Sequence, residues 1–161
     1  MKKTITVIIA GTIVSAIATA ALWAQAHNHV IQSPTEVKWG PAPPMLPPGA
    51  EIAVLAGDPS KSSAYTVRLK FPANYAIPAH SHPTDENVVV TTGALTFGMG
   101  DNLERVGTTN KTLSVGGYAL MPANANHFAF AGFGGATIVL YGQGPVEFKY
   151  VKASDDPRTK K

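Results

Sequence analysis

Beyond residue 50 the chain alternates apolar and polar positions with a period of two over many short runs. Tyr65, Val67, Leu69 and Phe71 alternate with Thr66, Arg68 and Lys70. Successive side chains of a strand point to opposite faces, so this pattern is that of a half-buried strand. Leu95, Phe97 and Met99 alternate with Thr96 and Gly98, and Val146, Phe148 and Tyr150 with Glu147 and Lys149. Shorter runs at 88–92, 112–115, 118–121, 127–131 and 137–141 read as further strands. Gly93, Gly116, Gly117, Gly132, Gly134, Gly135 and Gly142 lie between them, each able to supply a turn at positive φ. No convincing 3.6-residue stripe occurs after the N-terminal segment. Many short strands with Gly-rich turns predict an all-β sandwich or barrel.

Two segments precede this region. Lys2 and Lys3 stand before an uncharged apolar run, residues 5–23, which ends at Ala24-Gln25-Ala26. A positive start, an apolar middle and a small-x-small site are the layout of a secretory signal peptide. Residues 1–26 are therefore expected to be cleaved, leaving a periplasmic or secreted bacterial protein with no stable membrane insertion. An uncleaved anchor is the rival reading, because the run is long enough to span a bilayer. Residues 27–49 form a Pro-rich arm. Pro41, Pro43, Pro44, Pro47 and Pro48 bar a helix and favour extended geometry. Glu36-Val37-Lys38-Trp39 is expected to pair as an edge strand, with Trp39 covering core. The folded domain is expected over 50–152, followed by a loose polar tail over 153–161.

Composition narrows the function classes. The 161 residues suit one domain, and 45% hydrophobic against 14% charged excludes charge-driven disorder. The absence of cysteine excludes a disulfide framework, a thiol nucleophile and a cysteine metal site. The net charge of +3 sits in the leader and the tail, because residues 27–151 hold 7 basic and 8 acidic side chains. That nearly neutral domain lacks the clustered Lys/Arg footprint of a nucleic-acid binder.

The chemistry concentrates in three histidines. In His80-Ser81-His82, positions i and i+2 of a strand aim both imidazoles to one face. Pro83-Thr84-Asp85 allows a turn that returns Glu86 beside them. His127 follows on a second strand, after Gly117 through Pro122. Three imidazoles and a carboxylate make a mixed N/O site for a borderline divalent ion. Asp85 reads as a solvated neighbour, and Arg68 as an outer-face residue. Tyr65, Val67, Tyr75, Phe97, Met99, Met121, Phe128, Phe130, Tyr141 and Phe148 are candidates for a mostly apolar surround.

These residues resemble a cupin. The first cupin motif, G-(x)5-H-x-H-(x)3,4-E-(x)6-G, is met by His80, His82, Glu86 and Gly93, with Asn74 in place of the leading Gly. The second, G-(x)5-P-x-G-(x)2-H-(x)3-N, is met by Gly116, Pro122 and His127, with Asn124 for Gly and Ala131 for Asn. Asn is the non-Gly residue that best tolerates the left-handed region, so both Gly-to-Asn departures are mild. The resemblance implies a jelly-roll barrel (a double-stranded β-helix) of a single cupin unit. It also implies His80, His82, Glu86 and His127 as ligands of one divalent metal ion: Fe, Mn, Ni, Cu or Zn.

A narrower resemblance covers residues 55–60, 65–73 and 77–83, which are similar to the cupin half of anti-sigma factors that sense singlet oxygen. Those proteins carry an N-terminal zinc domain where this chain has its leader, so sigma binding does not carry over. Three functions follow as expectations. The first is a metal-dependent, dioxygenase-like oxidoreductase acting on a small aromatic molecule, with Glu86 as a base. The second is a non-catalytic metal and small-ligand binder. The third is a reactive-oxygen sensor. A homodimer through sheet edges is a further expectation. Cleavage after Ala26 would also expose His27-Asn28-His29, an amine, amide and imidazole set suited to Cu(II) or Ni(II).

Overall fold

The computed structural model describes residues 29–160. The signal-peptide reading and His27 fall outside them. Nine strands follow in chain order: β1 (Gly40–Pro41), β2 (Glu51–Gly57), β3 (Ala64–Phe71), β4 (Ala76–Ser81), β5 (Glu86–Met99), β6 (Lys111–Leu113), β7 (Tyr118–Met121), β8 (His127–Gln143) and β9 (Lys149–Tyr150). All pairings are antiparallel within one curled sheet. This is the predicted all-β jelly-roll architecture.

Two long strands organise the sheet. β8 pairs with β5 along most of its length, from Met99 opposite His127 to Glu86 opposite Gly142. On its other side, β8 pairs first with β4 and then with β3. β5 likewise meets β7 near its start and β6 near its end. The sequence predicts a turn at Gly93 and another within 132–135, but the chain runs through both. Register shifts flank Gly93, and Gly93 and Gly135 take φ of 70° and 73°. A glycine at positive φ serves a bulge as well as a turn, and here two such bulges bend paired strands together.

The period-two pattern delivers the core. Val67, Leu69 and Phe71 of β3, Val88, Val90 and Leu95 of β5, and Ile138 and Leu140 of β8 are all buried inside. Asn74 and Asn124 do occupy the left-handed region, at φ 59° and 62°. Their backbone amides donate to Gly132 O at 3.1 Å and to His82 O at 2.7 Å. The second bond ties one ligand-bearing turn directly to the other.

The ends of the domain differ from expectation. Residues 36–39 form no strand: a turn closes with Glu36 N donating to Ser33 O at 3.0 Å, and pairing starts at Gly40 opposite Ile52. Trp39 lies under the Arg68 guanidinium, 5.7 Å from ring centroid to Cζ. Arg68 is therefore only half exposed, with Nε buried. The tail expected to be loose forms two 3₁₀ turns, Ala153–Asp155 and Pro157–Thr159. Arg158 clasps Asp156 and donates from Nη2 to Phe148 O at 2.9 Å.

The arm lies against the barrel. Ala42 N donates to Ala50 O at 2.9 Å, and Leu46 is 6% exposed. Two phenols from the barrel hold its backbone: Tyr75 donates to Pro47 O, and Tyr150 to Met45 O at 2.7 Å.

Candidate metal centre

The ligand-type residues cluster at strand ends. His80 is near the end of β4, His82 is one residue beyond it, Glu86 opens β5 and His127 opens β8. Register sets His80 directly opposite His127. All four side chains are buried. One nitrogen of each of His80, His82 and His127 lies within 4.8 Å of the others, so the three can hold a metal ion.

Each imidazole is oriented from behind by a backbone carbonyl. His80 Nδ1 is 2.7 Å from Pro78 O, His82 Nδ1 2.8 Å from Glu147 O, and His127 Nδ1 3.0 Å from Ala125 O. A carbonyl only accepts, so each Nδ1 carries the proton and each Nε2 keeps a free lone pair. The Nε2 atoms of His82 and His127 are buried without a hydrogen-bond partner. Buried polar atoms left unpaired are costly, and a cation is the partner that a converging set of lone pairs accepts. The donor set therefore fits a divalent ion.

Glu86 faces the same point. Its carboxylate oxygens lie 3.4 Å from His82 Nε2 and 3.7 Å from His127 Nε2. A void of about 20 Å³ touches His80, Glu86 and His127, which is room for one water-sized species. Burial, followed by the neighbouring His127 and His82, pushes the His80 pKa down to about 3, so this ring is neutral and free to ligate. Burial alone would raise the Glu86 carboxyl. The His127, His82 and His80 side chains beside it outweigh burial and hold the carboxyl below its ordinary range.

Phe148 packs both members of the first pair. Its ring stacks on His80 at 4.5 Å and 17°, and meets His82 edge-on at 4.5 Å and 87°. The period-two pattern places Phe148 inward but does not reveal this buttressing. The orienting carbonyls are also invisible in sequence, although two of them sit two residues before their histidine.

A larger cavity of about 280 Å³ adjoins the site and reaches Glu86. Of the predicted lining residues, Tyr65, Val67 and Phe148 face it, and Phe97 faces the small void. Met121 is buried opposite Glu86 on β7. The others point elsewhere. Tyr75 is under the arm, Phe128 packs over Gly98, Phe130 lies beneath Arg105, and Met99 and Tyr141 are exposed at the surface. The arm contributes Pro43, Met45 and Leu46 to the cavity wall.

A family model described as ChrR Cupin-like domain matches residues 27–147. The chain is a member of the ChrR cupin-like family. No curated protein matches the sequence. Among solved structures, this cupin is similar to the polyketide cyclase RemF from Streptomyces resistomycificus. The two share 16% identity and a TM-score of 0.59, over 79% of this chain and 88% of that one. It is similar to a putative acetylacetone dioxygenase from Methylibium petroleiphilum PM1 at 22% identity and a TM-score of 0.58, over 79% and 83% of the chains. KdgF from Halomonas sp. matches at 20% identity and a TM-score of 0.52, over 70% and 93%. At such identities the likeness concerns the fold alone. Inside that fold, His80, His82 and His127 form a cluster that could hold a metal ion.

Proposed function

We propose that this protein is an exported cupin that binds one divalent metal ion through His80, His82, Glu86 and His127 and acts oxidatively on a small aromatic molecule. The observation that carries the reading is the convergence of proton-free Nε2 atoms beside Glu86, at the foot of an apolar cavity. Three nitrogens and one carboxylate suit Fe, Mn, Ni, Cu or Zn. When bound, such an ion supplies a Lewis acid or redox centre with positions left open for small molecules.

The chain's own residues do the rest. The three carbonyl-held imidazoles fix the centre, and Phe148 keeps two of them in place. Glu86 reaches both the centre and the cavity, so its carboxylate can take a proton from a molecule held there. Tyr65 lines the same cavity. Burial and the nearby Glu86 charge raise its pKa, so the phenol stays protonated and can donate a hydrogen bond. The apolar walls exclude water from the reacting molecule.

A second reading is supported by the sparse chemistry of the cavity wall. Apart from Glu86 and Tyr65 it offers no titratable side chain among the described residues, which suits a non-catalytic binder or a reactive-oxygen sensor. Metal analysis of the purified mature protein separates the readings. Stoichiometric iron, manganese, nickel or copper with O₂ uptake on added catechols or flavonols supports the oxygenase. Stoichiometric zinc without turnover supports binding or sensing. No metal, with His127→Ala indistinguishable from wild type, overturns both. Sequencing the mature N-terminus tests export, which rests on the pattern of residues 1–26.

A further inference from the structure

The 280 Å³ cavity is closed on one side by the arm, not by the barrel. Pro43, Met45 and Leu46 form that side, and the arm is held there by backbone contacts to Tyr75 and Tyr150. The remaining wall is mostly aliphatic and aromatic, including Val67, Leu69, Leu140 and Phe148, with Ser60 and Tyr65 as the hydroxyl bearers. No lysine, arginine or histidine lines it among the described residues, and its one charge is the carboxylate of Glu86. In the metal-free protein an anion entering here would lose its water, find no cation on the wall and face a like charge.

We infer that the arm is part of the ligand site, that Met45 and Leu46 set its length, and that the ligand is an uncharged aromatic molecule. The volume sets the size. An apolar cavity of about 150 Å³ holds one benzene, so 280 Å³ holds about two fused rings, or one ring with a short chain. Tyr65 supplies the hydrogen bond that orients an oxygen on that ligand toward Glu86. This rests on the reading that the cavity serves the metal centre, but its walls are protein and bind without the ion.

Fluorescence titration of the purified mature protein with 1-naphthol, 1-naphthoate and 1-hydroxypyrene tests it, before and after chelator treatment. Saturable 1:1 binding of 1-naphthol is expected with or without metal. After chelator treatment naphthoate should bind at least about 100-fold more weakly, because its charge is then buried unpaired. Hydroxypyrene should not bind wild type but should bind Met45→Ala. Met45→Trp, or Met45→Phe if the tryptophan variant does not fold, should lose naphthol while keeping wild-type metal content. Tyr150→Phe, which frees the carbonyl of Met45, should weaken naphthol about five-fold. Naphthol binding by a protein that never takes up metal would sustain this inference and sink the metal reading. Equal binding of naphthol and naphthoate by the chelator-treated protein, or unchanged naphthol binding by the Met45 variants in a metal-loaded protein, would overturn this inference alone.

Discussion

Replacing Phe148 by leucine should strike two imidazoles and spare the third. The phenyl ring stacks on His80 and meets His82 edge-on, both at 4.5 Å, and it is 9% exposed. An aromatic pair in such geometry contributes about 0.5–1.5 kcal/mol beyond the area it buries. Leucine restores most of the buried area and neither pair, so the expected loss is about 1–3 kcal/mol, with up to about 1 more from the change of shape. Urea denaturation of chelator-treated protein at neutral pH measures it. A second effect should accompany the first. His80 and His82 would then keep the Pro78 and Glu147 carbonyls but lose the ring packed against both, and loosening groups that orient ligands typically weakens metal binding about 10–100-fold. A competition titration against a chelator reads that change. A stability loss below about 0.5 kcal/mol together with unchanged metal affinity would refute the buttressing argument.

Other outcomes follow from the same structure. Asn74→Ala and Asn124→Ala should each cost about 1 kcal/mol, while the glycine variants at both positions stay near wild type, since alanine alone meets the left-handed penalty; thermal melts of the four variants decide it. In metal-free protein, His80 is neutral when folded and charges in the unfolded chain below its ordinary pKa of 6.5. The unfolded state therefore binds more protons, and stability should fall as pH drops from about 6.5 toward 3. The lowered Glu86 carboxyl acts in the same direction at the acid end of that window. His80→Gln should flatten the upper part of the slope in a pH series of urea melts. Removing the ion with a chelator should lower the melting temperature, and re-adding it at 1,000 times its Kd should restore about 4 kcal/mol. His127→Ala should abolish that response.

Much of the centre is legible in the sequence because its logic is local. His80 and His82 share a face by strand periodicity alone, and Asn74 and Asn124 mark their turns by the one conformation that asparagine shares with glycine. What escapes the sequence is long-range or ambiguous. Gly93 at positive φ is compatible with a turn or a bulge, and only the continuous pairing of β5 with β8 selects the bulge. Glu36 to Trp39 has strand-like composition. Its first residue is instead claimed by a turn whose Ser33 amide and hydroxyl both donate to the Glu36 carboxylate, at 2.6 and 2.8 Å. Backbone carbonyls such as that of Glu147 have no residue-type signature, so the partner of His82 cannot be read from composition. The arm is recognisable as proline-rich, but its place over the cavity depends on Tyr75 and Tyr150, distant in the chain.

The Glu147 carbonyl that orients His82 lies 65 residues downstream of it. Phe148, which packs both imidazoles of the first pair, lies just beyond. An emerging chain therefore has all three imidazoles and Glu86 before the carbonyl and the ring that orient His82 have been made. His82 is held in place only once residues 147–148 dock. The geometry of the site is thus set in the medium where the C-terminal segment finds its place, not in the medium where the histidines are first synthesised.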